Sequence, residues 1–247
     1  MIPFKKRLYK LAFRNYGVRD QFKIYKRRGL RLLLNYANHI DRRLITYQPF
    51  EEELLRYVGQ TLCSDDISVF IDVGANIGLY SLSVASGKRP LKIIAFEPHK
   101  KNIDQLKANI LINNFTADIE VYPVGLSNQV DELKFLSDAG KSTGRSRIAE
   151  TAPKSTNLDR YDETTIRVIN FDDNFNYAGE NIYIKIDVEG HECRVIEGMA
   201  KTLGKNKCVL QVEVFSENLE EICGLMERLG FKQMLCLGDD RIYKNYW

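Results

Sequence analysis

The sequence predicts an α/β fold, a doubly wound and mostly parallel sheet preceded by a helical N-terminal extension. From residue 69 onward, short apolar runs alternate with stretches of helical periodicity, the pattern of a parallel sheet covered by helices on both faces. Two early runs close on a carboxylate, Asp72 in VFIDV and Glu97 in IIAFEP. A later one, IYIKIDVEGHE, crowds Lys185, Asp187, Glu189, His191 and Glu192 at its end. Ligands of open α/β sheets lie beyond the carboxyl ends of the strands, so all three ends are expected around one crevice.

The extension comes first, taken as residues 1–60, with the α/β domain as 61–247. Helices are expected over 3–16, over 20–40 with Leu30, Leu33, Leu34, Ala37 and Ile40 inward, and over 50–60. The last begins after Pro49, and Glu51, Glu52 and Glu53 in its first turn complement the helix dipole. Charge is uneven: residues 1–43 carry 13 Lys or Arg against Asp20 and Asp41, a net of +11, and the other 204 residues a net of −8. On a helix, Phe4, Leu8, Leu11 and Ala12 share one face and Lys6, Arg7, Lys10 and Arg14 the other. A basic amphipathic helix of this kind points to peripheral contact with an anionic membrane or glycolipid. The plainer alternative is a solvated basic face whose apolar side packs on the domain.

The first strand, 69–73, runs into a Gly-x-x-x-Gly turn from Gly74 to Gly78 and a helix over 78–86. Glycine there permits φ > 0 and close approach of a ligand, and the unpaired N–H groups of the helix start face that ligand. The second strand, 92–97, ends at Glu97 before Pro98, where a carboxylate can accept both hydroxyls of an adenosine ribose. The turn separates two cofactor classes. A pyrophosphate needs the close second glycine of G-x-G-x-x-G, and here that place is Ala75–Asn76, with Asp72 beneath it to repel phosphate. S-adenosylmethionine, whose amino-acid end carries an ammonium, fits better than NAD.

A helix over 102–113 and a strand over 119–124 follow. Residues 133–135 and 165–168 read as strands flanking a polar stretch, 140–156, that holds Lys141, Arg145 and Arg147. An insertion of this length is either disordered or a functional loop. The alternation resumes with strand 182–187, a helix through 194–203, strand 208–215, helix 219–229 and a terminal pair, 234–237 and 241–243, whose last strand is expected to be antiparallel. Lys185 interrupts an apolar strand, and Glu213 sits among apolar neighbours in LQVEVF. So much charge at a buried strand end costs several kcal/mol unless paired, which favours a functional role. The alternative is a Lys185–Asp187 or Lys185–Glu213 ion pair that only joins strands.

At 247 residues and 44% hydrophobic content the chain is long enough for a full core. It has no run of about 18 apolar residues and no secretory h-region. Its five scattered cysteines, without C-x-x-C spacing, suit reduced thiols in a cytoplasmic protein, peripheral at most to the inner membrane surface.

With these motifs the chain resembles the FkbM family of class I S-adenosylmethionine-dependent methyltransferases. The resemblance is carried by FIDVGANIGLYS (70–81), AFEP (95–98), GLSN (125–128), KIDVEGHE (185–192) and VEVF (212–215), and covers roughly residues 50–230. It implies a seven-stranded Rossmann-like methyltransferase sheet and O-methylation of hydroxyls on sugars of glycans, glycolipids or related natural products. By the same resemblance Asp72, Gly74, Ala75, Asn76 and Gly78 hold the methionine part of the cofactor, and Glu97 and Pro98 the ribose and adenine edge. Ser127 reaches the adenine, and Asp187 stands near the sulfonium methyl. The candidate catalytic set is Asp187, His191, Lys185, Glu189 and Glu213. Either Asp187 or His191 is the base, or a divalent metal on Asp187, Glu189 or Glu213 activates the hydroxyl. His99 is expected at the surface. An RNA methyltransferase is the runner-up, prompted by the basic segment. The acidic turn Asp187-Val188-Glu189-Gly190 argues against it, since it repels a phosphate backbone.

Overall fold

The computed structural model describes residues 21–87, 89–115, 117–138, 146–152, 159 and 161–247. The expected helix over 3–16, Lys141 and Arg145 lie outside these residues.

The described chain opens with a hairpin, β1 (Phe22–Arg27) and β2 (Leu30–Asn35), in place of the helix expected over 20–40. The leucine-rich run fits either period, and the turn decides. Arg28 (φ 51°) and Gly29 (φ 81°) form a two-residue loop with both φ positive, the geometry that matches the twist of paired strands. Leu30, Leu32 and Leu34 then alternate inward, and they pack with Leu44, Ile45, Ile77, Leu79 and Leu82. Helix α1 (His39–Ile45) follows, capped by the Asn38 side chain, which accepts from the Ile40 N–H. Helix α2 (Glu52–Ser64) begins one residue after Glu51.

The central sheet has seven strands. Its members are β3 (Val69–Val73), β4 (Lys92–Phe96), β5 (Asp118–Tyr122), β10 (Asn181–Ile186), β11 (Lys207–Glu213), β12 (Lys232–Leu237) and β13 (Asp240–Lys244). Their order is β12-β13-β11-β10-β3-β4-β5, parallel except that β13 runs antiparallel to both β11 and β12. Every residue of β3 is buried. Val69, Ile71 and Val73 join a core with Ile182, Ile184 and Ile186 on one face; Phe70 and Tyr183 lie in a second core on the other. Helices α6 (Glu192–Glu197), α7 (Ala200–Lys205) and α8 (Leu219–Arg228) cover the first face through Val195, Leu203 and Ile222. Helix α2 and α3 (Leu79–Ala85) cover the second through Val58 and Val84. Burial on both faces is why these strands read as continuous apolar runs.

Helix α4 (Lys100–Asn113) links β4 to β5 and seals the hairpin edge. Asn109 Oδ1 accepts from the Leu33 N–H (2.7 Å) and Asn113 Oδ1 from the Arg31 N–H (2.9 Å). The buried Asp41 of α1 accepts from the Asn35 N–H (2.7 Å) and from Gln105 of α4 (2.9 Å).

A second sheet, not foreseen as such, pairs β6 (Gly125–Ser127), β9 (Tyr161–Asn170), β7 (Asp131–Asp138) and β8 (Arg147–Ile148) in that order. Three-residue β6 and two-residue β8 are too short to leave a period in the sequence. A short helix, α5 (Phe171–Asn174), returns the chain to β10.

Helix α6 ends against β6 so closely that a Cβ on Gly198 would lie 2.1 Å from the Ser127 carbonyl oxygen. Gly198→Ala is therefore expected to cost about 1–3 kcal/mol, the usual penalty of overpacking a rigid contact. A lowered urea midpoint with an unchanged slope would report it.

Candidate functional site

In the central sheet the chain leaves β3 towards β4 and β5, then returns to β10 on the other side of β3. A crevice opens at that switch point, and here it is a cavity of about 410 Å³.

The β3–α3 turn forms one wall. Gly74 takes φ +78° and its position would put a Cβ 1.9 Å from the Asp187 carbonyl oxygen, so the glycine is required by the neighbouring strand end as well as by the cavity it lines. Asn76 is held at φ 52° and sends its N–H to Glu97 Oε2 (2.8 Å). The His99 N–H donates to Glu97 Oε1 (2.8 Å). Both oxygens of a buried carboxylate are thus braced by the backbone, each with further acceptor capacity, while Glu97 and Pro98 line the cavity. Burial pushes the Glu97 carboxyl up to about 7, against the pull of the two N–H groups.

Other predicted residues sit behind the wall. Asp72 is fully buried and lies off the cavity. Its Oδ2 accepts from the Ser81 hydroxyl (2.6 Å) and N–H (3.1 Å), fixing the first turn of α3. Burial raises its pKa in spite of Lys185 and Ser81. Gly78 meets Leu106 of α4, where a Cβ would stand 2.3 Å from Cδ1. Ala75 is packed with Ala95 and Leu106. Ser127 is buried, its hydroxyl 3.0 Å from His191 Nε2. His99, expected at the surface, is 8% exposed, with its ring 5.9 Å from Phe135.

The β10 end supplies the charged wall. Register pairs Asp72 with Lys185 on adjacent strands. The buried Lys185 ammonium donates to Asp187 Oδ2 (2.9 Å) and lies 4.9 Å from the Tyr80 ring. Burial disfavours that ammonium, yet Asp187 and Asp72 outweigh it and hold it charged. For Asp187, burial is outweighed by Lys185 and by a hydrogen bond from Glu213, leaving its carboxyl below the ordinary value. Glu213 goes the other way: burial, then the Asp187 charge beside it, push it up to about 10, so it keeps its proton at neutral pH. Burial and the Arg194 charge bring His191 down to about 4, so the imidazole is neutral and is braced on Ser127.

The remaining walls come from residues that sequence reasoning placed elsewhere or passed over. His39, Ile40 and Arg43 of α1, Phe50 and Glu51 line the cavity from the N-terminal side. Glu51 adopts φ 58° and accepts from the Tyr80 hydroxyl (2.7 Å), which itself accepts from Gln211 (3.1 Å). From the polar insertion, Ser146, Arg147 and Ile148 close the opposite side. Arg147 donates to Glu189 Oε2 (2.8 Å) and Thr151 Oγ1 to the Glu189 carbonyl (3.2 Å), so the insertion docks on the Glu189–Gly190 turn. Glu189 too has positive φ, 57°. Non-glycine residues in that region cost on the order of 1–3 kcal/mol each and gather at functional sites.

Asp187, Glu189 and Glu213 each bring one oxygen within 4.8 Å of the others, a spacing that suits a divalent ion. Their charge is already balanced, however. Lys185 pairs with Asp187, Arg147 pairs with Glu189, and Glu213 is protonated. An ion would have to displace two cations and a proton, so the fit is poor.

Known proteins bear on this site. The model of the methyltransferase FkbM domain matches residues 72–232. Among curated proteins, the methyltransferase sdnD of Sordaria araneosa is 26% identical over 153 residues, covering 52% of this chain and 59% of its own. The hexuronic acid methyltransferase AglP of Haloferax volcanii is 29% identical over 159 residues, covering 62% and 58%. The AMB antimetabolite synthetase AmbE of Pseudomonas aeruginosa is 30% identical over 191 residues, 71% of this chain but 8% of that protein. The chain thus spans less than two thirds of the length of these relatives. A crystal structure of methyltransferase FkbM from Methylobacillus flagellatus superposes with a TM-score of 0.51 at 19% identity, over 85% of this chain and 53% of that one, and shows the same fold.

Removing the buried cation leaves two carboxylates unbalanced. Lys185→Met is expected to destabilise by roughly 3 kcal/mol at neutral pH, the low end for breaking a buried pair, because Asp187 keeps part of its hydration. The deficit should narrow as pH falls below the ordinary aspartate range, where a protonated Asp187 no longer needs the ammonium. Denaturant melts of both proteins at neutral and acid pH would measure it.

Proposed function

Because the chain belongs to the FkbM methyltransferase family, we propose that it transfers the methyl group of S-adenosylmethionine to a hydroxyl oxygen of a sugar, a glycan, a glycolipid or a related natural product. The observation that carries this reading is Glu97: a buried carboxylate, braced by two backbone N–H groups, opening on the same cavity as Asp187. Its spare lone pairs suit ribose hydroxyls. The site residues support a division of labour along the cavity, with the adenosine end at Glu97 and Pro98 and the sulfonium near Gly74 and Asp187. The name of the archaeal relative, a hexuronic acid methyltransferase, adds support for a sugar acceptor.

Methyl transfer is an in-line displacement, and most of the rate comes from aligning oxygen, methyl and sulfur. The acceptor oxygen attacks the methyl carbon, the carbon–sulfur bond breaks, the electron pair stays on sulfur, and the hydroxyl proton leaves to a base. Asp187 is that base in this reading, because it is the ionised carboxylate at the cavity wall while Glu213 holds its proton. His191, neutral and tied to Ser127, shapes the wall. Lys185 acts as a positioning residue for Asp187.

Glu97→Ala should weaken S-adenosylmethionine binding by about 1–3 kcal/mol, the cost of unpaired ribose hydroxyls, as read by calorimetry on a folded variant. Unchanged affinity would remove the ribose assignment. Labelled cofactor, offered with extracts fractionated into glycan, lipid, RNA and small-molecule pools, identifies the acceptor class; label in RNA would reverse the choice of acceptor.

With the acceptor in hand, Asp187→Asn is expected to lower kcat by about 10²–10⁴-fold. His191→Ala should change it by less than about tenfold, and a chelator should leave it unchanged. Full loss of activity with chelator, restored by a divalent ion, would move the chemistry to a metal on the three carboxylates.

A further inference from the structure

We propose that the outer face of the β1–β2 hairpin docks on an anionic lipid surface. Alternate residues of a strand share a face, and the register sets Ile24 opposite Leu33 and Lys26 opposite Arg31. Phe22, Ile24 and Leu33 therefore form an apolar strip with Lys26 and Arg31 at its end. Phe22 and Ile24 are each 52% exposed, Leu33 is half-buried, and both cations are exposed. The opposite face carries Leu30, Leu32 and Leu34 into the core, so the outer strip lies on the side turned away from it.

Charge identifies the occupant. Lys26 and Arg31 are the charged side chains of that face, and the register places no acid among its strand residues. Exposed apolar side chains flanked by cations are the composition of a surface that settles at a headgroup boundary, where apolar burial and attraction to anionic lipid act together. A second copy of this chain would bring Lys23 and Lys26 of two β1 edges, unpaired among the described residues, together, a like-charge arrangement that opposes edge-to-edge pairing. Nucleic acid is bound mainly through phosphate contacts from charged and polar groups, which leaves an apolar strip without a role. Helix α1 follows β2 after three residues and lines the cavity with His39, Ile40 and Arg43. Docking would thus hold the cavity one helix away from the lipid, whatever the acceptor is.

The test uses the full chain and co-sedimentation with vesicles of phosphatidylcholine, with or without phosphatidylglycerol. Binding is expected with phosphatidylglycerol, falling with added salt and weak without it. Reversing both cations, Lys26→Glu with Arg31→Glu, should lower the partition coefficient by about tenfold or more. Phe22→Ser with Ile24→Ser should also lower it, with the melting temperature unchanged because both side chains are exposed. The matched reversal of two distant exposed lysines, Lys101→Glu with Lys201→Glu, should cost much less. Equal sedimentation on both vesicle types would overturn the proposal, as would a double variant of the strip that partitions like the parent. An equal loss from the distant pair would reduce the effect to net charge and reject the surface. A gel shift with RNA that the Lys26/Arg31 variant abolishes, without any change in vesicle binding, would reassign the face to nucleic acid.

Discussion

The Lys185 ammonium is the charge on which the rest of this site depends. It lies buried on the Phe70–Tyr183 face of the sheet, beside Asp72 across the β3–β10 seam and 2.9 Å from Asp187 at the strand end. Asp72 in turn pins Ser81 and with it the start of α3. The turn between them is fixed by its own contacts: the Gly74 and Ala75 N–H groups both donate to the Phe96 carbonyl (3.0 Å each), and the Asp187 N–H donates to the Val73 carbonyl (3.1 Å). The ends of β3, β4 and β10 are locked together by these bonds. A buried cation costs several kcal/mol by itself. It is tolerated here because two carboxylates and a tyrosine ring face it.

That arrangement sorts the acidic groups of one cavity into different protonation states. Asp187, next to the ammonium, stays ionised; Glu213, next to Asp187, does not. Glu97, at the far end, is pushed up to about 7 because burial outweighs its two backbone N–H donors. Two carboxyls that touch while their pKa values are driven apart by environment is the usual sign of assigned chemical roles. The same sorting balances these carboxyls without an ion, since Lys185 pairs with Asp187 and Arg147 with Glu189.

The β3 turn, the Glu97 end and the β10 turn were legible because each concentrates charge or glycine at the close of an apolar run, and the topology brings all three to one crevice. The roles were less legible. Nothing in one sequence tells a carboxylate lining a cavity from one facing a helix start, and Asp72 and Glu97 differ in that respect. Gly78 and Ser127 carry motif positions but serve a packing contact and a histidine. The hairpin reads as a helix in sequence because Leu30, Leu32, Leu33 and Leu34 satisfy both periods, and only the Arg28–Gly29 turn separates them. His39 and Arg43 of α1 could not be found at all, since their place at the cavity depends on that hairpin.

Two sources of sequence therefore build one cavity. The floor, from Gly74 to Glu97 and from Asp187 to Glu213, falls within the span that matches the family model. Part of the rim does not: His39, Ile40, Arg43, Phe50 and Glu51 all precede residue 72. Of these, Glu51 bonds to Tyr80 and so reaches the buried network. Arg43, by contrast, donates to the Pro49 carbonyl and stacks 4.7 Å from the Phe50 ring. Arg43 and Phe50, held by contacts of their own, can change without disturbing Lys185 and its partners, whereas Glu51 cannot. The charges at the β10 end cannot, because Lys185 balances both Asp72 and Asp187, and Arg147 balances Glu189. Electrostatics thus fixes the charged floor of the cavity and leaves the Arg43–Phe50 part of its rim free to vary.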